Sequence, residues 1–372
     1  MPNRIKVVNL ISGFNDGGAQ KVVYEIASRL QNDQDVDIRI CVICKDEDSN
    51  LSRQCHEKNL KIDYLGFESS NRKNLVSKFK DFIRMNHLVR RYLNDVKPDV
   101  IHTHITSIFK YIPLALLQIR VNKRIHTHHS DPYAIDKISV CIATILFKVL
   151  RIKSICVSEE QKSKADKVYH LKKSVVVHNG IDFARINQID PSEAKERLGI
   201  DFQMKVVGFV GRLERVKNIT YALDVFSEYH KLNPNSLMII CGDGSQYTEL
   251  KEYAKSIMIE ENIRFMGNVR DLSTMYSAMD YFILTSFFES SSIVTLEAQA
   301  YEKTCFISDA VPVNTIYSKR VKRLSLKEAP ALWAYQMSAD NTDFDVPTST
   351  KESYDINNCV NKMKEIYIEK LA

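Results

Sequence analysis

Two glutamates, Glu289 and Glu297, stand at either end of the run Glu-Ser-Ser-Ser-Ile-Val-Thr-Leu-Glu, with Ser290, Ser291 and Ser292 directly after the first. The apolar, β-prone run 281–284 precedes them and another begins at Phe306 and Ile307. Residues 293–301 between these runs read as a helix, with the serine hydroxyls offered as N-caps. One carboxylate then stands in the turn before a helix, and the other projects from its side about one and a half turns in. A helix N-terminus presents backbone N–H groups and a positive dipole end, which suits a phosphate. An ionised carboxylate is acceptor-only and can take both protons of a diol. Phosphate beside diol is the polar half of a nucleotide, its diphosphate and ribose. Taken alone, the pair reads more readily as solvated helix-end charge, so the rest of the chain has to decide.

The elements around the pair form a repeating pattern. Residues 4–10 make an apolar strand that runs into a turn with Gly17 and Gly18, then a helix with Val22, Val23, Ile26, Ala27 and Leu30 at helical spacing. Glycine lets backbone approach a phosphate at a helix start, although the G-x-G-x-x-G and P-loop patterns are absent. Strands follow at 38–44, 62–65, 100–102, 124–128, 152–157 and 175–178, with a helix at 74–93. The strand at 124–128 ends in a cluster of His126, His128 and His129. Residues 182–203 are polar and read as a linker between domains 1–182 and 183–372. Beyond it the alternation restarts. The strand 206–210 leads into Gly211-Arg212 and Lys217, 237–241 into Gly242-Asp243-Gly244, and 263–266 into Gly267, Asn268, Val269 and Arg270. A helix at 326–337, a loop at 343–350 and a closing helix at 355–371, packing back towards the first domain, complete the chain. Repeated βα units give parallel sheets covered on both faces. Ligands bind at the carboxyl ends of such strands, so Arg212, Lys217, Gly242, Asn268, Val269, Arg270, Glu289 and Glu297 converge on one edge. An arginine fork and a lysine point charge together suit a diphosphate.

Bulk properties narrow the class. The 372 residues are 44% hydrophobic and 26% charged, ordinary for a globular protein of two domains. No apolar run reaches the roughly 18 residues of a spanning helix, and no signal-peptide pattern opens the chain, so a cytoplasmic location is expected. The eight cysteines sit mostly in apolar runs and read as reduced, packed side chains, Cys41 and Cys44 included. Asp35-Val36-Asp37 imitates a metal-binding pair but precedes a strand of the first domain, and no metal is expected. Residues 1–182 carry 30 Lys and Arg against 20 Asp and Glu, and the remainder is net −4. The basic half calls for an anionic partner; no nucleic-acid motif accompanies it. Arg72, Lys73, Lys78, Lys80, Arg84, Arg90 and Arg91 crowd the helix at 74–93. Its apolar residues, Leu75, Phe79 and Phe82 among them, are expected to pack on the sheet. That leaves a basic flank as a candidate contact for an anionic membrane surface.

Taken in order, Gly17-Gly18-Ala19-Gln20, Asp99-Val100-Ile101-His102-Thr103-His104, Val157-Ser158, Asn179-Gly180-Ile181-Asp182, Gly211-Arg212-Leu213 with Lys217-Asn218, Gly242-Asp243-Gly244 and Glu289-x7-Glu297 cover most of the chain. The set resembles the retaining GT-B glycosyltransferases of family four, in particular bacterial capsular and exopolysaccharide enzymes. The resemblance implies an α/β GT-B fold, two Rossmann-like domains facing across a cleft, the first for the acceptor and the second for a nucleotide-sugar. It implies a metal-independent transfer from a UDP-sugar to a glycan or lipid-linked acceptor in surface polysaccharide synthesis, peripheral to the inner face of the membrane. By the same resemblance Glu297 holds the ribose and Arg212 with Lys217 the diphosphate. Glu289 contacts the transferred sugar, helped by backbone N–H groups of Ser291, Ser292, Ile293 and Val294. Asn268, Val269 and Arg270 lie near the base, and Gly17 and Gly18 let the first loop approach the diphosphate. His129 is expected near the anomeric carbon, with His128 as the alternative. The chain departs from the pattern where Ser290 and Ser292 replace frequent glycines, which narrows the sugar site. It departs again where Asp309-Ala310-Val311-Pro312 replaces a Pro-Gly-Gly loop. A nucleotide-sugar epimerase and a non-catalytic partner subunit share the architecture and stand as the other readings.

Overall fold

The computed structural model describes residues 4–46, 48–70, 74–269, 271–339, 344 and 348–369. Each apolar run read as a strand is one, and the strands fall into two all-parallel sheets. The chain divides into two compact units: residues 1–180 with 356–372, and residues 181–355.

In the first unit β1 (Ile5–Ile11), β2 (Val36–Cys44), β3 (Ile62–Phe67), β4 (Val100–His104), β5 (Lys123–His128), β6 (Lys153–Cys156) and β7 (Val175–Val176) lie in the order 3-2-1-4-5-6-7. Valine and isoleucine fill the central strands because helices cover both faces and leave no side exposed to water. The helix Ile356–Ile368 belongs to this unit, where Val360, Met363, Ile366 and Tyr367 join the core beside Val7, Val36 and Val100. It is fixed by Lys123, whose ammonium donates to the Ile366 carbonyl at 2.7 Å. Lys364 on the same helix pairs with Asp33 at 2.8 Å and Asp35 at 2.7 Å, and Lys61 pairs with Asp37. Both carboxylates of the metal-like Asp35-Val36-Asp37 are therefore held by lysines.

The helix Leu75–Val96 departs from expectation. Val89 and Leu93 are buried, but Leu75 is 84% and Phe79 64% exposed, and Val76 and Ile83 are exposed as well. The expectation that these apolar residues pack on the sheet holds only for the C-terminal half. A helix of 22 residues is roughly 33 Å long, whereas a strand of ordinary length spans about 17–20 Å, so the first turns overrun the sheet.

In the second unit β8 (Lys205–Val210), β9 (Ser236–Cys241), β10 (Ile263–Gly267), β11 (Tyr281–Leu284), β12 (Thr304–Ser308) and β13 (Val321–Leu324) lie in the order 10-9-8-11-12-13. This is the order of the first sheet's first six strands. The stretch read as a linker holds a helix, Pro191–Arg197, because Asp190 caps it and Pro191 presets its first turn. Lys195 on that helix is buried against Asp280 at 3.0 Å, which ties the stretch to the second unit. Both sheets have the topological switch next to their first strand, between β1 and β4 and between β8 and β11. The loops after those strands frame the crevice in which open α/β sheets bind ligands.

Candidate active site

In the second unit the loops after β8, β9 and β10 are joined backbone to backbone. Gly211 donates to the Cys241 carbonyl at 2.9 Å, Leu213 to Asp243 at 2.9 Å, and Gly242 to Gly267 at 2.8 Å. Gly242 has φ +139°, and a Cβ there would lie 1.9 Å from the Gly211 carbonyl oxygen. Only glycine fits, which gives Gly242 a packing reason that needs no ligand. The joined loops hold Arg212 exposed at their edge, without an ion pair among the described residues. Asn268 is exposed beside them and Val269 half-buried; Arg270 lies outside the described residues.

The short turn Arg215–Lys217 ends on Asn218 at φ +49°, which starts the helix Ile219–Leu232. The turn is fastened to the strand across the switch point. The Thr285 hydroxyl donates to the Asn218 carbonyl at 2.8 Å, and Phe287 N–H to Val216 at 2.8 Å. This fastening brings Lys217 to Glu289: the ammonium donates to Oε1 at 2.6 Å and the Ser286 hydroxyl to the same oxygen at 2.8 Å. Glu289 is only 8% exposed, so the carboxylate is held in place by a partner that sequence alone did not pair with it.

The helix that carries the second glutamate is Ile293–Ala300. Ser292 occupies its N-cap position, but its hydroxyl bonds the Thr295 hydroxyl at 2.8 Å rather than a backbone N–H. The expected serine capping is thus corrected, because a neighbouring hydroxyl competes successfully for the same oxygen. The Ser291 hydroxyl is buried and has no partner among the described residues. Ile293 N–H is already engaged with the Ser291 carbonyl at 3.1 Å, and Val294 is half-buried. Glu297 is half-buried and accepts from the Tyr276 hydroxyl at 3.0 Å. Burial, and then the Glu297 charge, push the Tyr276 hydroxyl well above its ordinary pKa, so it stays a donor. Tyr276 was not anticipated, and no local pattern marks it.

The first unit offers different chemistry. Gly17 is the N-cap of the helix Gly18–Leu30; a Cβ on Gly18 would meet nothing within 4 Å, so the loop leaves open room there. Across the switch point, β4, β5 and the residue directly after β5 present five imidazoles. His126 and His128 are fully buried. His126 bonds the Thr103 hydroxyl at 2.9 Å; His128 bonds Ser154 at 3.1 Å and stacks on Tyr169. His129 alone of that cluster keeps exposed surface. Its Nε2 lies 3.0 Å from His104 Nδ1, and His104 Nε2 lies 3.0 Å from Asn9 Oδ1. Burial holds His129 down to about 4 and His102 and His128 to about 3, so all three are neutral at pH 7. A neutral imidazole with exposed surface can orient or accept a proton from a hydroxyl; the buried ion pair of the second unit can hold charged oxygens and sugar hydroxyls.

Comparison with known proteins divides the chain at nearly the same place as the two units. Residues 16–185 fit the family model described as Glycosyltransferase Family 4, and residues 190–328 the one described as Glycosyl transferases group 1. The UDP-Gal:alpha-D-GlcNAc-diphosphoundecaprenol alpha-1,3-galactosyltransferase of Escherichia coli is 26% identical over 63% of this chain and 63% of its own length. A Campylobacter jejuni enzyme, GalNAc-alpha-(1->4)-GalNAc-alpha-(1->3)-diNAcBac-PP-undecaprenol alpha-1,4-N-acetyl-D-galactosaminyltransferase, is 25% identical over 82% of this chain and 79% of its own. The EpsF protein of Bacillus subtilis, 29% identical, is matched over 42% of this chain and only 41% of its own length. Among solved structures, Anabaena HepE in complex with UDP and glucose superposes with a TM-score of 0.80 at 16% identity, over 98% of this chain and 100% of that one. Two Rossmann-like units in GT-B order, each fitting its own family model, make this chain a member of the group 1, family 4 glycosyltransferases.

Proposed function

We propose that the protein is a retaining, metal-independent glycosyltransferase that moves a sugar from a UDP-sugar to a hydroxyl of a lipid-linked glycan acceptor in bacterial surface polysaccharide assembly. The observation that carries this reading is the buried Lys217–Glu289 pair beside exposed Arg212, in the crevice at the switch point of the second sheet. Arg212 and Lys217 supply the positive charge on which a diphosphate leaving group is stabilised. Glu289, fixed by Lys217 and Ser286, takes hydroxyls of the transferred sugar. Glu297, oriented by Tyr276, takes the ribose diol. UDP as the nucleotide is supported by the UDP-Gal named for the E. coli relative and by the UDP bound to HepE. A lipid-linked acceptor is supported by the diphosphoundecaprenol and PP-undecaprenol of the two relatives' names. His129 serves near the anomeric carbon; its exposed surface, where His126 and His128 are buried, supports that reading.

No helix among the described residues is long and apolar enough to cross a membrane. The overrunning turns of Leu75–Val96 fit a peripheral contact instead, with exposed Leu75 and Phe79 among Lys78, Lys80 and Arg84; Arg72 and Lys73 lie outside the described residues. Each basic residue near an anionic surface contributes about 1 kcal/mol. Binding to anionic but not neutral vesicles, lost on reversing Lys78, Lys80 and Arg84 to Glu, is the expected co-sedimentation result.

A panel of nucleotide-sugars tests the reaction. UDP release in excess EDTA is expected, and Arg212→Ala should lower kcat/KM by roughly two to three powers of ten. Activity abolished by EDTA and restored by magnesium or manganese would falsify the metal-free step, and an isomerised nucleotide-sugar without transfer would overturn the reading altogether.

A further inference from the structure

The helix Lys137–Val149 is apolar on two sides. Its inner face, Ala143, Leu146 and Phe147, is buried in the first unit's core. Its outer face presents Ile138, Ile145 and Val149, each more than half exposed. The outer face also carries Lys137 and Lys148, so it pairs exposed apolar surface with positive charge, and such a patch on a helix whose inner face is already packed points to a binding surface.

The uncovered side is not flat. Between it, the turn Pro132–Ala134 and the helix Glu159–Tyr169 lies an open groove of about 440 Å³. That volume is within the roughly 300–1,000 Å³ of small-ligand sites. Tyr133, Ile135, Val140, Ile145 and Val168 line it, and Lys137 and His170 are its basic side chains. Neither of those two makes an ion pair among the described residues. The neighbouring acid, Asp136, is engaged in capping its own helix and with Lys110 at 3.6 Å. A hydrocarbon lining with an uncompensated positive charge is complementary to an anionic amphiphile. A free diphosphate would find too few donors there, and a bilayer surface would cover the helix without filling a concavity. The groove begins at Pro132, three positions along the chain from His129.

We propose that this groove holds the isoprenoid chain of a prenyl-diphosphate-linked acceptor, with Lys137 at the diphosphate. The proposal rests on the lipid-linked acceptor reading and gives the lipid a place on the protein.

Cys141 lines the groove and is exposed, whereas the other described cysteines are buried or, for Cys44, half-buried. Its alkylation rate with N-ethylmaleimide, followed by peptide mass spectrometry on the full chain, therefore reports occupancy. Farnesyl diphosphate should slow that rate about fivefold or more, while inorganic diphosphate and phosphatidylcholine vesicles leave it unchanged. Lys137→Glu and Ile145→Glu, both at exposed positions, should each remove the protection. Each should also raise KM for a prenyl-diphosphate-linked acceptor about tenfold at unaltered affinity for UDP. No protection by farnesyl diphosphate, equal protection by phosphatidylcholine, or protection that grows with protein concentration alone overturns the proposal; the last would mean that a second copy covers the face. A chain that turns over no UDP-sugar defeats the activity reading, and thiol protection still decides the groove.

Discussion

The two sheets share a strand order and so place two crevices at equivalent positions, yet the crevices have opposite electrical character. Beside the one between β1 and β4 stand imidazoles that burial keeps neutral, His102 and His104 of β4 and, in contact with His104, His129. The one between β8 and β11 is built on ion pairing and leaves Arg212 exposed. Topology sets where a ligand can enter, and side-chain charge sets which ligand is tolerated. A neutral hydroxyl suits the first crevice and a diphosphate the second.

Acid should separate the two most strongly. His102, His104, His126 and His128 are fully buried and held far below the ordinary 6.5 by burial, His102 and His128 to about 3. The unfolded chain takes up these protons first. Stability of the first unit is therefore full above about pH 6.5 and falls progressively as pH drops towards 3 to 4. The sole tryptophan, Trp333, is buried in the second unit and reports on that unit alone. Circular dichroism should lose helix between pH 6 and 4 before Trp333 emission shifts. Simultaneous transitions would break the comparison.

Next in size is the ion pair. Lys217→Ala leaves the Glu289 carboxylate buried without its cation and should destabilise the second unit by about 3–5 kcal/mol; Lys217→Met with Glu289→Gln should recover much of that. His104→Ala, which removes a neutral partner of His129, should cost about 1–3 kcal/mol. Thermal melts read by Trp333 and by circular dichroism distinguish the cases, and equal losses would erase the contrast.

The glycines sharpen it further. Gly242→Ala forces a side chain onto the Gly211 carbonyl and should cost about 1–3 kcal/mol or more in backbone strain, with UDP binding lost as the joined loops part. Gly18→Ala meets no atom, so melting should be unchanged while turnover drops. A Tm loss on Gly18→Ala would show that the first loop, too, is dictated by packing.

The finest distinction lies within the second crevice. Glu297→Ala should weaken UDP binding by about 1.5–3 kcal/mol, whereas Glu289→Ala should lower kcat with UDP affinity nearly kept. Tyr276→Phe, which removes one hydrogen bond to Glu297, should cost about 0.5–1.5 kcal/mol. Calorimetry giving equal losses for both glutamates would end their division of labour.

Sequence made the strands legible because a doubly covered parallel strand must be apolar throughout. It missed β13, Val-Lys-Arg-Leu, since an edge strand pairs on one side only and tolerates charge. It misjudged Leu75–Val96 because helical periodicity shows that a face is apolar, not how far the sheet beneath it extends. The short helix Pro191–Arg197 carried a readable signal, Asp before Pro, inside text otherwise too polar to suggest order. Glu289 could be singled out from its turn, but its pairing with Lys217, 72 positions earlier, is a product of the switch point and has no local trace. The same holds for Tyr276 beside Glu297. That His128 is buried against Tyr169 while His129 keeps exposed surface is likewise a product of the packed sheet, without a local trace.

The return of the helix Ile356–Ile368 to the first unit bears on how the protein is made. Val360, Met363 and Tyr367 complete the core next to Val7, Val36 and Val100, and the Tyr367 hydroxyl meets His102 at 2.8 Å. These residues leave the ribosome after every residue of the second unit. At roughly 5–20 residues per second, residues 181–355 take about 9–35 s to make, and for all of that time one face of the earlier sheet lacks this helix, which follows the second unit by only about 1–3 s. The usual sequence, first-made half first, is inverted. The nascent chain should therefore hold its N-terminal half in a chaperone-dependent state until the last helix emerges, and release before residue 356 should leave that half prone to aggregate.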